Sequence, residues 1–107
     1  MGFFDRFRGK GAGGRPVYDT AHLESWARER HGVEAYVEPK TAVTETTVVL
    51  IAHDGEWTRR RISAPADAYR LGQKLGIPVY DTNLMGYPQR MRDYTARQNA
   101  LRKRGEA

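Results

Sequence analysis

Residues 46–62 read Thr46-Thr-Val-Val-Leu-Ile-Ala-His-Asp-Gly-Glu-Trp-Thr-Arg-Arg-Arg-Ile62, and this stretch decides the fold. Val48 to Ala52 is the longest unbroken apolar run, β-branched at Val48, Val49 and Ile51. Such a run, followed at once by turn residues, reads as a buried strand. Asp54-Gly55 is the dipeptide best suited to a two-residue hairpin turn of type I′. Trp57 to Ile62 then returns as a second strand. A two-residue loop pairs His53 with Glu56, Ala52 with Trp57, Leu50 with Arg59 and Val48 with Arg61. Strand alternation puts Trp57, Arg59 and Arg61 on one face and Thr58, Arg60 and Ile62 on the other.

Upstream of the hairpin, Val33, Ala35 and Val37 alternate with Glu34, Tyr36 and Glu38, the pattern of a half-buried strand. Pro39-Lys40 turns the chain into the long strand that ends at His53. Asp19 or Thr20 caps a first helix running to about His31, with Gly32 as its stop and Leu23, Trp26 and Ala27 as its apolar face. Downstream, Ser63-Ala-Pro opens a second helix with Asp67 in its first turn. Ala68, Leu71 and Leu75 line one side, Gly72 allows close approach to a sheet, and Gly76 and Pro78 end it. Val79-Tyr80 is a short strand and Thr82 to Tyr87 a loop. A basic helix then runs from Pro88 to about Arg104, with Met91, Tyr94, Gln98 and Leu101 on its inner stripe.

The element order is therefore α-β-β-β-α-β-α, an α+β fold with a small mixed sheet. Three strands are antiparallel, a fourth returns parallel to the third, helices cover one face, and a basic helix closes the chain. Three segments follow: a leader and glycine-rich linker over 1–18, a globular domain over 19–87, and a basic helix and tail over 88–107. The order of elements resembles the core of the restriction-endonuclease-like fold, and its first five elements resemble a double-stranded-RNA-binding domain. The nuclease resemblance implies an acidic residue on the second strand and an acidic-x-Lys motif on the third. Val48, Val49 and Leu50 stand on the former and Arg59, Arg60 and Arg61 on the latter. The RNA-binding resemblance implies a lysine-rich start to the second helix, where this chain has Ser63-Ala-Pro-Ala66.

With 107 residues, no cysteine and a net charge of +5, the chain fits a single reduced domain. The charge is uneven: 1–18 carries +3, 19–87 carries −2 and 88–107 carries +4. Basic ends on a mildly acidic body point either to contact with an acidic partner, most simply RNA or DNA, or to tails that merely solubilise the chain. The candidate contacts are Arg90, Arg92, Arg97, Arg102, Lys103 and Arg104 on the last helix, joined by the Trp57, Arg59, Arg61 stripe. That stripe is either a stacking and phosphate-binding surface or a packing face whose arginines lie along the sheet. Phe3, Phe4 and Phe7, set among Arg6, Arg8 and Lys10, form a second candidate contact. They give either a weak, reversible anionic-membrane contact, or a frayed terminus, or a docking turn on the protein itself.

No apolar run approaches the roughly 20 residues of a membrane span, so the expected place is the cytoplasm or the inner face of its membrane. Gly9 to Gly14 lacks the strand and the Gly-Lys-Ser/Thr of a phosphate loop and reads as linker. His22 and His31 lie on opposite sides of their helix, and His53 beside Asp54 is either a general base or a solvated turn residue. No catalytic residue, metal ligand or cofactor site is nominated. The acidic strand Val33 to Glu38 is expected to be a free edge through which copies of the chain could pair. Finally, Val33-Glu-Ala-Tyr-Val-Glu-Pro-Lys-Thr41, the hairpin, Gly76-Ile-Pro-Val-Tyr-Asp81 and Gly86-Tyr-Pro-Gln-Arg-Met-Arg-Asp-Tyr94 resemble small uncharacterised actinobacterial proteins. Members of that group often carry the generic label oxidoreductase, and the resemblance implies a small oxidoreductase as a further alternative, although this chain has no dinucleotide fingerprint, flavin motif, cysteine pair or metal cluster.

Overall fold

The computed structural model describes residues 20–106, so Phe3, Phe4 and Phe7 lie outside the described residues. Its elements are α1 (Ala21–Arg28), β1 (Glu34–Glu38), β2 (Thr47–Ile51), β3 (Trp57–Arg61), α2 (Pro65–Leu75), β4 (Val79–Asp81), the single turn α3 (Thr82–Met85) and α4 (Gln89–Glu106). The expected mixed α+β order holds. One sheet runs β3-β2-β1-β4, with β1/β2 and β2/β3 antiparallel. Short β4 pairs parallel with β1, Ala35 opposite Val79.

That last pairing corrects the expectation of a free acidic edge. β1 is hydrogen-bonded on both sides, and the sheet edges are β3 and β4. Homo-oligomer formation through Val33 to Glu38 has no open strand to use.

β1 and β2 bury both faces, which is why the run Val48 to Ala52 does not alternate. On one side Ala35, Val37, Val48 and Leu50 meet Leu23, Trp26 and Ala27 of α1 and Ala68 and Leu71 of α2. On the other side Tyr36, Val49 and Ile51 meet Trp57, Tyr80, Tyr87 and Met91 beneath the start of α4. β1 is thus not half-buried as its pattern suggests, because Tyr36 is only 6% exposed. The helices divide between the faces, α1 and α2 on the first and α4 on the second.

The hairpin is shifted by one residue from the expected register. Ile51 pairs with Trp57, Val49 with Arg59 and Thr47 with Arg61. The Gly55 amide donates to the Ala52 carbonyl at 3.0 Å and the Ala52 amide to the Glu56 carbonyl at 2.8 Å, closing a three-residue loop. Gly55 alone takes a positive φ, +94°, in that loop, and no non-glycine residue does so among those described. A type I′ turn needs positive φ at both central positions, so Asp54 rules it out; a glycine bulge after an ordinary turn takes its place. Alternation is unaffected, and Trp57, Arg59 and Arg61 still share a face, now the one beneath α4.

Other boundaries also move. α1 ends at Arg28, not near His31, because the next residues bond elsewhere. The Arg30 amide closes a last tight turn on the Ala27 carbonyl, and the His31 carbonyl accepts the His53 amide. The Arg30 guanidinium grips both Glu56 oxygens, at 3.0 and 2.9 Å, with its cation 4.2 Å from the Trp26 ring centre. The expected long second strand is only Thr47–Ile51. Before it, the Thr41 hydroxyl accepts the Val43 and Thr44 amides and holds residues 41–44 in a turn. Thr82 to Tyr87 is not all loop, since the Asp81 carboxylate caps α3 through the Asn83 amide at 2.7 Å.

α2 follows its sequence closely. The Asp67 carboxylate accepts the Ala64 amide at 3.0 Å, Gly76 ends the helix at φ +69°, and a Cβ at Gly72 would overlap the Val79 side chain.

Candidate functional site

The face under α4 is built on two glutamates of β1 four residues apart. Glu34 accepts the Tyr36 hydroxyl at 3.0 Å and the Arg90 guanidinium at 2.7 Å. Glu38 accepts the Arg59 guanidinium twice, at 2.7 and 2.9 Å, together with the Thr47 and Tyr87 hydroxyls. Burial pushes the Glu38 carboxyl up, but its Arg59, Thr47 and Tyr87 donors outweigh burial and hold it below the ordinary carboxylate value. The same ion pair raises the Arg59 guanidinium. Burial, helped by the hydrogen bond to Glu34, pushes the Tyr36 phenol up to about 12. Burial and then Glu38 push Tyr87 upward as well.

The basic residues expected from sequence divide into two groups. Arg59 is engaged by Glu38, and its cation lies 5.2 Å from the Trp57 ring centre. Trp57 donates its indole N–H to the Thr95 hydroxyl at 3.1 Å. Arg90 donates to the Ala52 carbonyl at 3.0 Å as well as to Glu34, and Arg97 to the Asp54 carbonyl at 3.0 Å. Trp57, Arg90 and Arg97 thus fasten α4 to the sheet and the hairpin turn, and Arg59 ties β3 to β1. The second group points to solvent: Arg61 on the β3 edge, and Arg92, Arg102, Lys103 and Arg104 on α4. Of these, Arg92 bonds Gln89 at 3.1 Å and Arg102 bonds Asn99, both within the helix.

From Ala96 through Gly105 every residue of α4 is exposed, including Gln98 and Leu101 of the expected inner stripe. The helix leaves the body just beyond its Arg97 contact. Between α4 and β3 lies a shallow groove of about 430 Å³, with Tyr87 and Met91 as its apolar floor. Arg59 and Arg92 flank it, and Thr95, Ala96 and Asn99 complete the wall. Sequence reading missed Glu34, Glu38, Tyr87, Thr95 and Asn99. Only the spacing of Arg92, Ala96, Asn99 and Lys103, at i, i+4, i+7 and i+11, marks the groove side of the helix in advance.

The histidines remain apart from this face. His22 meets the Thr58 hydroxyl at 3.2 Å, and the His31 and His53 rings lie 6.3 Å apart beside the hairpin turn. No group of three metal-ligating side chains occurs among the described residues. No helix among them is long and apolar enough to cross a membrane. Searches for similar proteins find no matching family model, no matching curated protein and no matching solved structure.

Proposed function

We propose that the protein is a non-catalytic binding module that engages a polyanion, most simply RNA or DNA, through the projecting part of α4. The observation that carries this reading is the exposure of α4 from Ala96 through Gly105, which presents Arg102, Lys103 and Arg104 at the far end. A helix that docks on a hydrophobic partner shows an apolar stripe. This segment has only Leu101 as a large apolar residue, so its free face offers charge rather than apolar area. Lys103 and Arg104 form no ion pair among the described residues, in contrast to Arg59 and Arg90, whose charges are matched by glutamates. Trp57, Arg90 and Arg97 hold the helix from beneath, and Arg92 stands beside the projecting segment.

Fluorescence anisotropy with a labelled oligonucleotide tests the reading. With about three phosphates neutralised, affinity falls roughly 20–40-fold between about 50 and about 200 mM salt. Replacing Arg102, Lys103 and Arg104 together by Gln removes most of that slope and leaves the unfolding midpoint in place. A flat salt response, or undiminished binding by the triple variant, overturns the proposal.

A further inference from the structure

The cationic tip and the groove beneath α4 lie along one line. Arg92, Ala96 and Asn99 wall the groove, and the same helical spacing carries that stripe on to Lys103, about 16 Å from Arg92 along the axis. Arg102 stands beside it, bound to the Asn99 carboxamide oxygen. The stripe begins over an apolar floor and ends at Lys103, which forms no ion pair among the described residues. We infer that this line is a binding track for single-stranded nucleic acid, with phosphates at Lys103 and Arg92 and one unpaired base seated in the groove. The inference rests on the polyanion reading above and specifies the strand that the site takes.

Each wall of the groove suits a base better than a simple anion. Tyr87 and Met91 supply an aromatic ring and a polarisable thioether, surfaces on which the face of an unpaired base can rest. The Arg59 guanidinium is already neutralised by two bonds to Glu38. What it adds is a planar, weakly hydrated surface of the kind that stacks on bases. Arg92 is exposed and bonded only to the neutral Gln89 among the described residues, so its charge is available to a phosphate. The polar groups are oriented for base edges. Thr95 accepts the Trp57 indole N–H, which leaves its own hydroxyl proton to donate. Asn99 gives its oxygen to Arg102, which leaves its amide protons to donate. Two donors above an apolar floor match the carbonyl and ring-nitrogen acceptors that a paired base keeps for its partner strand. A duplex covers the faces and pairing edges of its bases, so it can use the cations of the track but not the groove.

Three ligands distinguish the two claims: a single strand, a duplex of equal length and inorganic polyphosphate, which has charge and no base. The wild-type protein is expected to bind the single strand about tenfold more tightly than the duplex, the value of roughly one stacked base. Ala96→Leu crowds the groove from an exposed helical position with an aliphatic side chain, removing no charge and adding no stacking ring. It is expected to abolish that preference while duplex affinity stays unchanged. The Met91 methyl resonance, assigned through Met91→Leu, should move with the single strand under the ring current of the seated base and stay in place with polyphosphate. Equal affinity for single strand and duplex, or an Ala96→Leu variant that keeps the preference, overturns the groove inference. If the Arg102, Lys103, Arg104 triple variant still loses binding in that case, the polyanion reading stands alone. Absence of binding to all three ligands at low salt overturns both.

Discussion

Glu38 collects hydrogen bonds from three parts of the chain: Thr47 at the start of β2, Arg59 on β3 and Tyr87 ahead of α4. Its carboxylate is mostly buried, with a side-chain exposure of 17%. Glu38→Gln keeps the shape and removes the charge, and is expected to cost about 1–3 kcal/mol in urea unfolding. The folded pKa lies below the ordinary value of 4.5. The stabilisation is therefore complete above that value and is lost as pH falls through the depressed folded value. The stability difference between wild type and Glu38→Gln should narrow over that acid range and be constant at neutral pH. None of this is legible in the sequence. Glu38 lies on what reads as the solvent side of an alternating strand, and only a helix from the far end of the chain turns that side inward.

At the level of elements, the hairpin shows where local reading succeeds and where it stops. Asp54-Gly55 locates the turn, and apolar residues locate both strands. The dipeptide does not distinguish a two-residue loop from a three-residue loop, because both accept glycine at the last position. Glycine at the last position is also required from outside the hairpin. Gly55 is buried against α4, where an added Cβ would overlap the Arg90 carbonyl and crowd the Tyr94 Cβ. Gly55→Ala therefore meets two penalties, a positive φ and a steric clash with a helix backbone. We expect a loss of about 2–4 kcal/mol, with α4 amides showing the largest chemical-shift changes in the variant. α4 itself is legible as a basic helix from its composition. Its inner stripe is correct only as far as Met91 and Tyr94, because beyond Arg97 there is no body left to pack on.

Across the whole molecule, the described residues span 57 × 33 × 28 Å with a radius of gyration of 16.9 Å. A compact chain of this size has a radius of roughly 12–13 Å. The projecting part of α4 accounts for this elongation, and it carries charge where the body carries apolar packing. Ending the chain at Gln98 should thus leave stability within about 0.5 kcal/mol of the full-length protein, since only exposed residues are removed. The same truncation should abolish oligonucleotide binding in the anisotropy assay. The sequence shows this division of labour as a charge imbalance between body and tail. It does not show which arginines are held to the body, because Arg90 and Arg97 differ from Arg102 and Arg104 only in what lies across from them.

The position of β1 between β2 and β4 also imposes an order of events during folding. The β2–β3 hairpin closes over a three-residue loop, at little entropic cost. Joining Ala35 to Val79 must first gather β2, β3 and all of α2 into one closed loop, a contact of much longer range. The parallel edge should accordingly form late, after the antiparallel meander and α2 have consolidated. Val79→Ala is then expected to accelerate unfolding with little effect on the refolding rate, whereas Val49→Ala should slow refolding. A chevron plot that assigns both changes to the same limb would reverse that order. A chain that folds this way completes its last strand pairing just as its C-terminal helix becomes able to dock, so α4 is laid down on a finished sheet.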